Sequence, residues 1–329
     1  MLMTIATALI TLATAGAHTD TTFQVKQGTR LAVNNFGGAI MVSAWDKNAV
    51  RIAADHSTRA RVQIVESGPN LEVHATSFRG HPVRVNYSIV VPEWMPLILQ
   101  GIYADIMVKG TKSEITAETV RGEVNVEGGA GFVKASSVEG PVIVTGAQGR
   151  VEINSVNEAV NVSSSKGEIV ANAVNGDIHL NEVESSLVEA STVNGDVFYL
   201  GDLRDKGRYN FSTHNGDLIL GMPEHTNATV SVSTFNGEFE SDFPVHVDSS
   251  HRGKRFNFTV GSGSALVNLE SFEGTIQLRK PILLREIVKV RDVKMKQMEK
   301  LREVARAKQR EIDKQKDKDI DPEDQTPEH

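Results

Sequence analysis

Val174-Asn175-Gly176-Asp177 and Val193-Asn194-Gly195-Asp196 repeat one phrase, followed by His214-Asn215-Gly216-Asp217 and Phe235-Asn236-Gly237-Glu238. Weaker copies begin at Val120, Val138, Val156 and Phe272. The glycine position of each copy falls at 122, 140, 158, 176, 195, 216, 237 and 274, so the steps are 18, 18, 18, 19, 21, 21 and 37. The last step reads as two periods, with an insertion or an unrecognised copy between. A fixed period near ~20 residues is the mark of a solenoid, and here the local hydrophobic period is two, not 3.6.

Two residues after each glycine position stand Val124, Val142, Val160, Ile178, Val197, Leu218, Phe239 and Ile276. Two further on, Val126, Val144, Val162, Leu180, Tyr199, Leu220 and Leu278 continue the pattern, with Ser241 the exception. Two before the glycine position are Val120, Val138, Val156, Val174, Val193, His214, Phe235 and Phe272. Alternation assigns all three columns to one face of extended chain. β-branched residues dominate them and favour strand. Asn-Gly supplies the positive φ of a tight turn. The same dipeptide also marks hairpins, so an antiparallel meander competes. The even spacing, and a second strand in each period such as Val151–Ile153 or Leu187–Ala190, favour an all-β parallel β-solenoid of about 18–21-residue rungs. Each rung then buries its apolar face only against its neighbours.

The rest of the chain is organised around that stack. Residues 1–17 carry the apolar run Ile5–Ala15 and small residues at Ala13, Ala15 and Ala17, which read as a secretory signal despite no early Lys or Arg. The run is too short for a spanning anchor. Residues 18–112 read as an irregular β region covering the N-terminal edge, where open strands would otherwise invite aggregation. Residues 113–280 are the repeat proper. The composition then changes. Residues 279–318 hold 15 basic and 7 acidic side chains, whereas residues 1–278 hold 20 and 30, a net of −10. Residues 285–316 lack Gly and Pro, so residues 281–318 are expected to form a charged α-helix. Residues 319–329 read as a disordered acidic tail. The absence of cysteine excludes disulfides, thiolate metal sites and thiol nucleophiles.

These residues also resemble a known family. Leu31-Ala32-Val33-Asn34-Asn35, then Gly38 to Val42, then Ala44-Trp45-Asp46 before Val50-Arg51-Ile52, are similar to the opening of the bacterial putative-adhesin family of unknown function. Val91-Pro92 and the later Asn-Gly-Asp turns follow in the order that family shows. The resemblance spans about residues 23–280 and implies a β-solenoid in an envelope or surface setting.

Candidate chemistry is sparse. Glu123, Asp177, Asp196, Asp217 and Glu238 follow the turn glycines. In stacked rungs the last four would line up at about the ~4.8 Å strand spacing, and a cation such as Ca²⁺ would relieve their repulsion. Pro141 and Ala159 interrupt the column, and acids suit a solvated turn in any case. The turn residues themselves are Asn175, Gly176, Asn194, Gly195, Asn215, Gly216, Asn236 and Gly237, the asparagines forming a ladder of amides. Ser136, Ser191, Ser212 and Ser233, with Asn154 and Asn172, are assigned the valine face; Ser137, Ser155, Thr192, Thr213 and Thr234 are assigned the outside, where they could line a ligand groove.

Polysaccharide cleavage needs paired carboxylates, and no mixed cluster stands out. Nucleophile-elbow, phosphate-loop and zinc-protease motifs are absent. The expectation is a non-enzymatic, cofactor-free, adhesin-like or scaffold module, periplasmic or secreted to the cell surface. The alternatives are a glycan- or cation-binding surface protein and a polysaccharide-active β-helix enzyme. The basic segment, with Lys289, Lys294, Lys300, Arg302 and Arg306, points to an anionic envelope surface or to self-association. The acidic body argues against nucleic acid.

Overall fold

The structure, a computed structural model, describes residues 9–10, 18–245 and 254–281. The chain divides into two units, Met1–Lys280 and Pro281–His329. The described residues of the first form strands and turns only.

The strands stack as rungs, here lettered A to J in spatial order. Rung A is the long strand Arg30–Trp45 and rung B is Leu97–Thr111. Rungs C, D and E each use two strands: Ile115–Arg121 with Val124–Gly128, Ala130–Glu139 with Val142–Thr145, and Gln148–Ser155 with Val160–Ser163. Strand Lys166–Asn172 and the first half of Ile178–Asn194 make rung F; the second half, with Val197–Gly201, makes rung G. Rung H is Arg208–Asn215 with Leu218–Gly221. Every rung pairs with the next in parallel, as in Val124↔Val142, Val142↔Val160 and Val160↔Ile178. The meander alternative is therefore not what forms.

The two ends depart from this order. Rung H is followed in space by rung I, Ala265–Glu273 with Ile276–Arg279, and only then by rung J, Ala228–Thr234 with Phe239–Ser241. Strand Lys254–Val260 lies antiparallel on the far side of rung J. The chain thus skips one position, turns back, and fills the gap. That is the reason for the 37-residue step between 237 and 274: no missing copy lies between them. Beyond rung A, Arg84–Pro92 pairs in parallel with its second half and Asn70–Ser77 with its first. Antiparallel strands Ala49–His56, His18–Gln24 and Ala60–Ser67 complete that edge, and Leu9–Ile10 pairs with Val65 and Ile64.

One continuous core runs from Leu31 to Leu278. Residues two and four after each turn glycine point inward, as do Val133, Ala135, Val151, Ile153, Ile169, Ala171, Val188 and Ala190 from the opposite strands. Rung J is the exception: there Phe239 and Ser241 are only half-buried. Near rungs G and H the interior admits aromatics: Tyr199, Tyr209 and Phe211 pack together. Tyr209 Oη donates to the Ser185 carbonyl at 2.6 Å, and burial pushes the Tyr199 hydroxyl pKa up.

Two expectations need correction. The described residues contain no helical element, so the class is all-β; the C-terminal charged helix over 281–318 is withdrawn, and apart from Pro281 that segment and the acidic tail lie outside the described residues. The secretory-signal segment also lies outside them, save Leu9–Ile10. The second correction concerns glycine. Gly176 and Gly195 have no left-handed φ. A Cβ at Gly195 would overlap the carbonyl oxygen of Gly176, and one at Gly176 that of Glu158. Close backbone approach between rungs, not turn handedness, demands glycine there. In the same column Gly122, Gly216 and Gly274 do have positive φ, at 149°, 155° and 137°. A second positive-φ column sits at the other turn: Gly110, Gly128 and Gly146, then Ser164 at φ 48° and Glu182 at φ 52°.

Candidate functional site

Alternation holds within a strand but not around a turn. In strand Arg208–Asn215, Tyr209, Phe211 and Thr213 are buried while Ser212 is half-buried and His214 exposed. The column two before the turn glycine therefore faces outward, not into the core. In spatial order from A to J it reads Phe36, Ile102, Val120, Val138, Val156, Val174, Val193, His214, Phe272 and Phe235. Val120, Val138, Val174 and Val193 are 40–45 % exposed. An apolar stripe thus follows the stack across every rung, interrupted only by His214.

At rungs H, I and J the stripe turns aromatic. The His214 and Phe272 rings stack at 4.6 Å and 11°, and Phe235 continues the pile at 4.9 Å and 8° from Phe272. Beside this pile, on the outer sheet face, runs a polar row: Ser191, Ser212, Glu270 and Ser233, one from each of four successive rungs. Ser212 Oγ donates to Ser191 Oγ at 2.9 Å. Arg255, opposite Ser233 on the edge strand, closes the row. Pile and row enclose an open groove of about 700 Å³.

The hydroxyls expected to line an outward groove are nearly fully buried, although Thr192, Thr213 and Thr234 do contribute to the lining of this one. Ser137, Ser155, Thr192, Thr213 and Thr234 are 3–4 % exposed. Thr213 Oγ1 donates to the Gly195 carbonyl at 2.8 Å, Thr192 Oγ1 to Gly176 at 2.9 Å, and Ser137 Oγ to Gly122 at 2.9 Å. Each satisfies a turn carbonyl of the preceding rung. Their neighbours Ser136, Ser191, Ser212 and Ser233, assigned the valine face from sequence, are the outward ones.

The acidic column has a similar task. Asp177 Oδ1 accepts from the Asp196 backbone N–H at 3.0 Å, Asp196 Oδ1 from Asp217 N–H at 2.9 Å, and Asp217 Oδ1 from Thr275 N–H at 2.7 Å. Rung I places Thr275 between Asp217 and Glu238, so the four acids are not consecutive. Among the described residues no group of three or more His, Asp or Glu is placed to hold a metal ion. The amide ladder runs Asn157–Asn175–Asn194–Asn215 at 3.1, 2.9 and 2.7 Å. Glu273 takes the next position, so Asn236 stands apart from it.

A family model for Toastrack DUF4097 matches residues 11–279. The chain belongs to this family. No curated protein matches the sequence. Three solved structures resemble the Toastrack domain, each covering 80 % of this chain. One is a "putative cell adhesion protein" of Clostridium sporogenes, at 9 % identity, 99 % of its own length and TM-score 0.22. The others are a "putative adhesin" of Parabacteroides distasonis, at 9 %, 98 % and 0.43, and one of Bacteroides fragilis, at 13 %, 97 % and 0.35.

Sequence reading placed Thr192, Thr213 and Thr234 in a ligand groove, and all three contribute to the lining of the groove of this Toastrack domain. Its aromatic wall and Arg255 escaped for two reasons. Phe272 and Phe235 are out of order in the chain relative to the stack. Arg255 belongs to no repeat column, and Glu270 puts a carboxylate where the adjacent copies of its column carry Ser. A signal existed: the column before the turn changes from Val to His and Phe at 214, 235 and 272.

Proposed function

We propose that this Toastrack domain is a non-enzymatic, adhesin-like module of the cell envelope or cell surface. The observation that carries the reading is the apolar stripe that follows the stack from rung to rung, broken only at His214. Contiguous exposed apolar surface of this kind is characteristic of interaction sites. A stack of rungs held by backbone ladders keeps such a stripe in fixed register. The groove at its aromatic end contains one carboxylate, Glu270, where glycoside hydrolysis calls for a pair. The leader-like run Ile5–Ala15 and the absence of cysteine accord with export. The basic segment 279–318 would favour an anionic envelope surface by charge alone.

Fractionation of cells producing a tagged chain, with surface proteolysis of intact cells, tests the setting. The tag should appear in the envelope or outside it, and an exclusively cytosolic chain overturns the reading. Cells lacking the protein should adhere less to a surface that retains the purified chain. Equal adherence with and without it rejects the adhesin-like role.

A further inference from the structure

We propose that the groove beside His214, Phe272 and Phe235 binds a neutral glycan chain. A pyranose ring offers an apolar C–H face and a rim of hydroxyls, so its binding site needs aromatic surface beside polar side chains. Both are present. The aromatic pile ends at Phe235, 51 % exposed, and among the described residues no ring covers its other side. Phe272 is 40 % exposed. The polar row of Ser191, Ser212, Glu270 and Ser233 runs alongside, closed by Arg255. Hydroxyl, carboxylate and guanidinium groups together supply both donors and acceptors to a hydroxyl-rich ligand.

The row recurs at the ~4.8 Å spacing of paired strands. It therefore suits a ligand bearing hydroxyls all along its length better than a compact metabolite. An extended peptide docking by strand addition would be drawn to edge strand Lys254–Val260, which among the described residues pairs only with Ala228–Thr234, and not into the groove. Strand Arg208–Asn215 is already paired on both sides, with Ile178–Asn194 and Ala265–Glu273. A polyanion is disfavoured as well: Arg255 and Glu270 offset one another, and residues 1–278 carry a net charge of −10.

The inference rests on the surface-module reading for access to such chains in the cell. Its test is independent of location. The full chain is titrated by calorimetry with hexasaccharides of β-1,4-glucose, β-1,4-N-acetylglucosamine and α-1,6-mannose. At least one should bind. Phe235→Ala and Phe272→Ala should each weaken that binding about tenfold or more with the melting temperature unchanged. Phe235→Trp should retain it, and Val138→Ala, far along the stripe, should leave it unaffected. No binding of any of the three, or binding that survives both alanine variants, overturns the groove assignment. A surface-located chain that binds none of them refutes the groove alone; a cytosolic chain that binds one refutes only the surface reading.

Discussion

Gly274 lies so close to the carbonyl oxygen of Gly216 that a methyl group there would overlap it, and Gly237 meets the carbonyl of Gly274 in the same way. The rung latest in the chain is thus wedged between two earlier ones. Rung J pairs with rung I on one face, so its ladder depends on residues 265–279 being in place. Gly274→Ala should loosen rungs I and J together, at about 2–4 kcal/mol. Hydrogen exchange should show Ala228–Thr234 and Lys254–Val260 losing protection while rungs C to F keep theirs. Uniform protection in the variant would refute the wedge.

The two turn columns predict opposite responses to substitution. Gly195→Ala puts a methyl group against the backbone of Gly176 and should cost about 3 kcal/mol or more. Gly146→Ala has nothing within 4 Å of the added atom, and its φ of 71° is the only objection, so about 1 kcal/mol is expected. Ser164→Gly and Glu182→Gly relieve left-handed strain of about 1–2 kcal/mol per residue, offset in part by about 0.5–1 kcal/mol of glycine chain entropy. Both should raise the melting temperature slightly. Denaturant titration of the four variants checks the ranking.

Thr213 separates the structural hydroxyls from the surface ones. Its Oγ1 donates to the Gly195 carbonyl from a position 4 % exposed. Thr213→Val keeps the shape and strands that acceptor, so a loss of about 1–3 kcal/mol is expected. Ser136→Ala, on the neighbouring outward column, should cost under about 0.5 kcal/mol. Equal effects would mean the two columns share one environment.

Acid should weaken the C-terminal end of the stack. The Lys280 backbone N–H at 3.0 Å, and then the Arg279 guanidinium at 3.2 Å, hold the Asp242 carboxyl below its ordinary 3.8. A depressed carboxylate pKa means that the unfolded chain binds the proton first, so its contribution is complete above 3.8 and fades as the pH falls through the folded value. The stability gap between the native chain and Asp242→Asn should be level at neutral pH and narrow below about pH 4. A gap that is constant with pH would remove Asp242 from this role.

Much of this was legible from spacing alone. The parallel stack, its inward Val columns and the Asn ladder follow from a period near ~20 and from β-branched alternation. What stayed hidden has a common cause. A strand's parity fixes faces only up to the next corner, so Val138 and Val142 read alike in sequence yet face opposite ways. Likewise, spacing orders copies along the chain and not in space, so nothing in the interval from Gly237 to Gly274 announces that the second lies inside the first.

The contrast between Val138 and Val142 supplies the sharpest check on the exposed stripe. Val142 is fully buried between Val124 and Val160. Val142→Lys would bury an unpaired ammonium and should prevent the stack from folding. Val138 is 40 % exposed, so Val138→Lys should change stability by under about 0.5 kcal/mol. A charge there still breaks the continuity of the apolar surface on which adhesion is proposed to depend. Val138→Lys combined with Val174→Lys should therefore melt like the parent chain yet reduce retention on the adhering surface. If the double variant folds and is retained as well as the parent, the stripe is only the unburied side of a solenoid corner, and adhesion must be sought elsewhere on the molecule.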